Sequence, residues 1–433
     1  MIKFFGYLIC YCIYPFSFLF PRNRNKWAFG SFRGAFNDNA KYMFIYASNQ
    51  LKDKNCAWLS IKRSTVALIR GKGMKAYHIL SPQGIWFALT SKYWIYNAYS
   101  SDIMYCLSGR AVCMNLWHGL SMKRIEFNIT SGALAERFQK KTLKERYYHP
   151  ETFKRPDYVL SSSDYFTQSF AKSFRVPTDR CLEFGYPRNE ILLWNEDDRM
   201  AFVEHYEPVA TKQLIDRLKE SDYEKVFVYL PTWRDARRNL FVKDFDLQRM
   251  DAVMKEHNSL LLLKPHANTF VDSGIDKGLT NVSFIQSTID IYPVLPYIDV
   301  LITDYSSVTF DFSLMKGKNI ILYPYDYEEY KKGRDFDYPY DNLIVGKKVY
   351  DFDSLVAAMI SGNNYMPEEV RLRFVEECWS DNRTGACERI GRFLKGLDNV
   401  DGKTVWKTAQ LVAVIGLLLA EATWSDLLSG IEG

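Results

Sequence analysis

The chain reads as an α/β protein made of two doubly wound, Rossmann-like domains facing across a cleft. Three observations predict it. Short apolar runs rich in β-branched residues alternate with helical stretches from about residue 26 onward, the pattern of parallel strands covered on both faces. Two such series occur, separated by a polar helical stretch at 196–220. At 433 residues the chain exceeds one ordinary core, so two units of roughly 150–200 residues are expected. The expected divisions are a membrane-associating segment at 1–25, a first domain at 26–195, a second at 196–400 and a tail at 401–433.

Residues 4–20 are almost wholly apolar and are followed by PRNRNK. A secretory leader would carry its basic residues before the apolar run and a small-residue cleavage site after it. Here the order is reversed, and Pro15 interrupts a run already short of the ~20 residues a membrane span needs. An interfacial anchor on the cytoplasmic leaflet fits better, with Arg22, Arg24 and Lys26 near lipid phosphates; a buried first helix is the plainer alternative.

Strand-like runs then follow at 26–32, 56–61, 75–80, 93–98, 111–119, 157–163 and 181–187, with a helix at 41–51. After the connector at 196–220 come runs at 225–232, 259–267, 281–287, 299–304 and 319–326. Ligands of such sheets bind beyond the carboxyl ends of the strands. Helices at 367–380 and 382–397 are placed to pack back across the hinge. The tail changes composition, rich in Ala, Leu and Val, and reads as a second interfacial helix or an appendage.

A net charge of +5 suits an anionic substrate or an acidic membrane surface and is too weak to argue for nucleic acid. The eight cysteines form no CxxC pair and several sit in apolar runs, which predicts buried thiols in a reducing compartment. None of the six histidines shows metal-ligand spacing, so no metal and no cofactor are expected.

The stretch IDVLITDYSSVTFDF at 298–312 organises the second domain. Its apolar run reads as a buried strand ending at Thr303-Asp304, after which Ser306 and Ser307 open a helix reaching about Lys316. Serine is a favoured N-cap, and the unpaired N–H groups of a first helical turn attract anions. The bland reading is a capped structural helix. Polar signatures recur at other strand ends: PTWRD with Thr232 and Arg234, KPHAN with His266, and YPYD with Asp326. The first domain adds NLWHG with His118 and Gly119, then Lys123, and GYPRNE with Arg188. Arginine offers bidentate phosphate contacts and histidine moves protons near neutral pH. Singly, His118 reads equally as a satisfied structural histidine, Arg234 as a partner of Asp235, and Lys123 as part of a solvated face. Their convergence on one rim is the argument, and Gly119 after His118 adds close backbone approach.

These motifs, with FGSFRGAFNDNAKY near the start, resemble the CDP-glycerol glycerophosphotransferase family, whose members build teichoic acids and related polyol-phosphate polymers. The resemblance runs from about Lys26 to Ser380 in the family's order. It departs at Ala40, where Pro is expected, and at Leu120, where Thr is common; the long extra N-terminal region of some polymerases is absent. It implies a GT-B-like fold, metal-independent transfer, and peripheral attachment to the cytoplasmic face of the membrane. His118 would be the general base and His266 would contact the transferred phosphate. Ser306 and Ser307 would hold the pyrophosphate of CDP-glycerol, with Arg234, Lys123 and Arg188 as phosphate contacts beside Thr232 and Gly119. Asp304, Asp326 and Glu328 would be structural or ribose and base contacts. A lipid-linked glycerophosphate or polyol-phosphate would accept. The alternatives are a ribitol-phosphate or other polyol-phosphate transferase, a capsule polymerase, a sugar-nucleotide glycosyltransferase keeping Glu328 or Glu329 at the ribose, and a membrane-binding module without catalysis.

Overall fold

The computed structural model describes residues 2–132, 134–140, 142–232, 245–264, 278–333, 336–338, 340 and 345–398. Arg234, His266 and the tail at 401–433 lie outside the described residues. The first sheet has seven strands: β1 (Asn23–Gly30), β2 (Asn55–Ser60), β3 (Ala76–His78), β4 (Ser91–Tyr96), β5 (Val112–Asn115), β6 (Tyr158–Ser161) and β7 (Cys181–Glu183). They run parallel in the order β3-β2-β1-β4-β5-β6-β7.

The second sheet has six: β8 (Lys225–Leu230), β9 (Ser259–Leu263), β10 (Val282–Phe284), β11 (Val300–Thr303), β12 (Asn319–Leu322) and β13 (Lys347–Lys348). They too are parallel, in the order β10-β9-β8-β11-β12-β13. Both orders reverse direction once, between β1 and β4 and between β8 and β11. Those reversals are the switch points at which open α/β sheets bind ligands.

Burial on both faces explains why the strands read as unbroken apolar runs. Trp27 and Phe29 of β1 join one core while Ala28 joins another, and Val228 and Tyr229 of β8 divide likewise. The core containing Trp27 and Phe29 continues without interruption to Val228 and Leu301 of the second sheet.

The first helix, α1 (Ile2–Phe16), lays Cys10 and Tyr14 against the first sheet's outer core, with Tyr14 stacked on Tyr105 at 4.7 Å. Its other side leaves Ile9 and Phe16 exposed, and Leu19 beyond it is 75% exposed. No helix among the described residues is long and apolar enough to cross a membrane. Of the basic residues after it, Arg24 is exposed as expected, whereas Arg22 and Lys26 are partly buried. The Arg22 guanidinium donates to the carbonyls of Ala88 at 2.6 Å, Leu107 at 2.7 Å and Ser91 at 3.2 Å, and also to Gly109. Burial pushes its pKa down to about 10. Arg24 reaches the Asp398 carbonyl, and Lys26 donates to Thr90 Oγ1 at 2.9 Å. β1 begins at Asn23, so these side chains belong to the sheet's wall.

The helix after β1 is α2 (Asp38–Gln50). The connector expected as one helix is two, α3 (Glu196–Tyr206) and α4 (Val209–Glu220), because Pro208 lacks the N–H that would continue the first and Glu207 turns extended. The two final helices do pack back. Trp379 Nε1 donates to the Phe310 carbonyl at 3.2 Å, Ser162 Oγ to the Cys378 carbonyl, and the Cys387 amide to Glu190 at 2.8 Å.

Candidate active site

At the first switch point β1 ends in Gly30, where any side chain would strike the Asp102 carbonyl at 2.6 Å. Asn97, just past β4, organises the turn into α2. Its amide donates to Ser31 Oγ at 2.7 Å and its oxygen accepts from the Ala40 amide at 2.8 Å. A proline at position 40 has no N–H to give, so Ala40 makes a bond that the expected proline would forfeit. Asp38 sits at φ 61°, a left-handed conformation that Asp and Asn tolerate better than most residues.

The WHG turn follows β5. Its expected strand stops at Asn115, whose Oδ1 accepts from the Trp117 amide at 2.8 Å and bends the chain. Trp117 at φ 52° and Gly119 at φ 105° make the turn tight. A Cβ on Gly119 would lie 2.4 Å from Arg188 Nη2 and 3.7 Å from Ser307 Oγ, so glycine is required and the turns of the two sheets face each other there. His118 stands exposed at that junction. The crowded cleft floor pushes its pKa down to about 4, opposed by Asp38 and helped by Arg188 and Lys123. The ring's own opening to the cleft lets water screen part of that push, and either way the imidazole is neutral at pH 7.

At the second switch point Asp304 ties two strand ends together. Its carboxylate accepts from the Thr232 amide at 2.9 Å and the Tyr305 amide at 2.6 Å. Thr232 meets it through the backbone. The expected long helix after Ser307 is the single turn-and-a-half α5 (Val308–Phe312), followed by turns up to Lys316. Ser307 is already helical at φ −62° and caps nothing with its side chain, while Ser306 Oγ reaches the Val308 amide only at 3.5 Å. The half-buried hydroxyls are therefore not consumed as caps.

Arg188, expected as a phosphate contact, is held by two carboxylates. It is buried, and Nη1 donates to Asp38 at 2.7 Å while Nη2 donates to Asp311 of α5 at 2.8 Å. Tyr292 OH donates to the same Asp311 at 2.5 Å and its ring lies 4.6 Å under the guanidinium. Against the cost of burial, Tyr292, Asp311 and Asp38 push the guanidinium's pKa up. Arg188 is thus a bolt between the sheets. Lys123 comes nearer the expected place, over the Tyr330 ring at 5.9 Å. Its neighbours form a strap to the second sheet, with the Asp337 amide donating to the Met122 carbonyl at 2.8 Å. Asp326 accepts from Tyr305 OH at 3.1 Å. Of the KPHAN motif, Lys264 is described, and it donates to the Ile289 carbonyl at 2.9 Å.

Sequence reasoning assigned no role to Asp38, Asn39, Lys41, Asp290, Tyr292 or Asp311. The first three stood inside the FNDNAKY motif, whose acidic residue before a helix was the available signal. Among the described residues no three metal-ligating side chains converge.

The family model for CDP-glycerol:poly(glycerophosphate) glycerophosphotransferases matches residues 12–395. The chain belongs to this family. The glycerophosphotransferase-family chain is 29% identical to a teichoic acid glycerol-phosphate transferase of Staphylococcus aureus over 85% of its own length and 92% of that protein. It is 25% identical to a teichoic acid poly(glycerol phosphate) polymerase of Bacillus spizizenii, over 83% and 89%. The structure of the wall teichoic acid polymerase TagF superposes with a TM-score of 0.67 at 24% identity, covering 88% of this chain and 91% of that one, which shows a shared fold.

Proposed function

We propose that the protein transfers glycerol phosphate from CDP-glycerol to a hydroxyl of a polyol-phosphate or lipid-linked acceptor, in the synthesis of teichoic acid or a related surface polymer. The observation that carries the reading is a neutral, exposed His118 on a tight turn facing Ser307 across the two switch points. The acceptor oxygen attacks the β-phosphorus and its proton passes to His118. The bond from that phosphorus to the bridging oxygen breaks, and CMP leaves. Such a transfer asks for positioning and charge stabilisation more than covalent chemistry. Ser306 and Ser307 serve as hydroxyl donors to the pyrophosphate, Lys123 supplies a cation beside it, and Arg234 and His266 complete the phosphate contacts.

The test is nucleotide release by purified protein offered CDP-glycerol, CDP-ribitol or a UDP-sugar with a lipid-linked glycerophosphate acceptor. CMP from CDP-glycerol is expected, with Ser306→Ala and Ser307→Ala together raising KM for the donor. UDP from the sugar nucleotide would make the protein a glycosyltransferase instead.

The protein works at the cytoplasmic face of the membrane, held by the outer side of α1. Leu8, Ile9, Ile13, Phe16 and Leu19 are 38–75% exposed there, and each such side chain contributes about 1.5–3 kcal/mol when fully buried. Phe16→Asp with Leu19→Asp should therefore reduce co-sedimentation with anionic vesicles by roughly tenfold or more. Undiminished sedimentation would move the contact elsewhere on the molecule.

A further inference from the structure

Besides its own bond to Asn115, the WHG turn is held from α2. Asn39 Nδ2 donates to the Trp117 carbonyl at 2.9 Å, and Asn39 Oδ1 accepts from the Arg188 amide at 3.1 Å. Asp38 beside it is placed by its left-handed backbone at the mouth of the first switch point. Its Oδ1 accepts from the Asn39 amide at 2.8 Å and from Arg188 Nη1 at 2.7 Å. Its Oδ2 has no hydrogen-bond partner among the described residues, and the side chain keeps 20% of its surface open. One guanidinium serves two carboxylates, Asp38 and Asp311, so the trio carries a net charge of −1 beside the His118 turn.

We propose that Asp38 is a positioning residue for the transfer, the carboxylate that steadies the His118 ring as it takes the acceptor's proton. The inference rests on the reading of His118 as the base. The charged groups whose fields act on the ring are Asp38 from α2, Arg188 from the turn after β7, and Lys123 from the strap. Burial and both cations disfavour the imidazolium, and Asp38 is the group that favours it. A base surrounded only by cations would be poor at accepting a proton, because charge developing on the ring would meet like charge. Asp38 removes that obstacle without being consumed, since the proton stays on the imidazole. Asp102 lies beneath the same loop, accepts from the Ala98 amide at 2.8 Å, and is pushed up by burial to about 7 with Asp38 adding to the rise. A rate profile alone would mix the two groups, so the ring must be followed directly.

The experiment titrates the His118 C2–H resonance, identified by its absence from His118→Ala, and measures CMP release for the same proteins. Asp38→Asn should lower the ring's pKa, because losing an anion favours the neutral imidazole. kcat should fall roughly tenfold or more, a part of the 10²–10⁴ that a positioned base contributes, while KM for CDP-glycerol stays within about twofold. Asp38→Gly repeats the test with a residue at ease at φ 61°, which guards against failure of the asparagine variant to fold. An unmoved ring titration with kcat within about twofold in either folded variant would overturn the role of Asp38. Full turnover by His118→Ala would instead overturn the base on which it acts.

Discussion

His118→Ala should cut CMP release by about 10²–10⁴, the range that a positioned proton acceptor contributes, and leave CDP-glycerol affinity within about threefold. The second half of that expectation comes from the ring's surroundings. Its centroid lies 4.0 Å from that of Trp117, it stands exposed, and no hydrogen bond to it is present among the described residues. Truncation therefore opens no cavity in the core and orphans no buried partner, so thermal stability should hold. Calorimetry with CDP-glycerol separates the two effects. Retained turnover would remove His118 as the base, and lost donor binding would make it a ligand contact.

The largest stability effect should come from a residue outside the cleft. Lys41 is 2% exposed and pairs with Glu207, and with Asp290 at 2.9 Å. It joins α2 to the end of α3 and to the second sheet's side, and Tyr42 OH adds a bond to Asp290 at 3.0 Å. Lys41→Met would leave two buried carboxylates facing each other, and stripping one member from a buried ion group costs about 3–5 kcal/mol. The melting temperature should fall accordingly, with a change under about 1 kcal/mol contradicting the account.

The pH dependence of Lys41→Met has a definite sign. Burial drives Glu207 up, opposed in the native protein by Lys41, whereas Lys41 and its other donors hold Asp290 down against the same burial. Without the lysine both carboxylates rise, and a group whose folded pKa exceeds its unfolded one loses stability as pH climbs. The variant's deficit should thus shrink from pH 7 to pH 5. In the native protein Asp290 contributes stability above its unfolded pKa that disappears as pH falls through its depressed folded value. Lys41 is held above the ordinary lysine value by the two carboxylates despite burial, and its share is lost only as pH rises past 10.5.

The sheets were legible because doubly covered parallel strands carry no polar face. Ser259–Leu263 and Val300–Thr303 are buried throughout, so a short unbroken apolar run sufficed, with β-branching adding to it only in the second. β13 escaped because Lys347–Lys348 is a two-residue strand at the sheet's edge beside β12, and no apolar pattern marks it. Pro208 was visible in the sequence and should have divided the connector. Ser306-Ser307 read as a cap by residue type, but a serine already in helical geometry cannot turn its hydroxyl back on the first turn.

Within the site, His118, Gly119 and Ser307 were legible because turns that need tight backbone follow strands at short range. Arg188 stood out as a residue, but its carboxylate partners did not. Its carboxylates are 123 and 150 positions away, and no local spacing encodes such pairs. Asp38 stayed unassigned for the same reason. A cation after an apolar run likewise says nothing of whether lipid or four carbonyls await it, as Arg22 shows.

The final helices impose an order on birth. Asp398 accepts from Tyr93 OH at 2.7 Å and from Lys54 Nζ at 2.9 Å, and the Glu190 carboxylate accepts from the Cys387 amide. The first sheet's last strand leaves the ribosome about 200 residues before those partners exist, a delay of roughly 10–40 s at ordinary elongation rates. Throughout that interval the nascent first sheet carries a bare flank, and the polypeptide becomes a finished enzyme only when its distal end returns to its beginning.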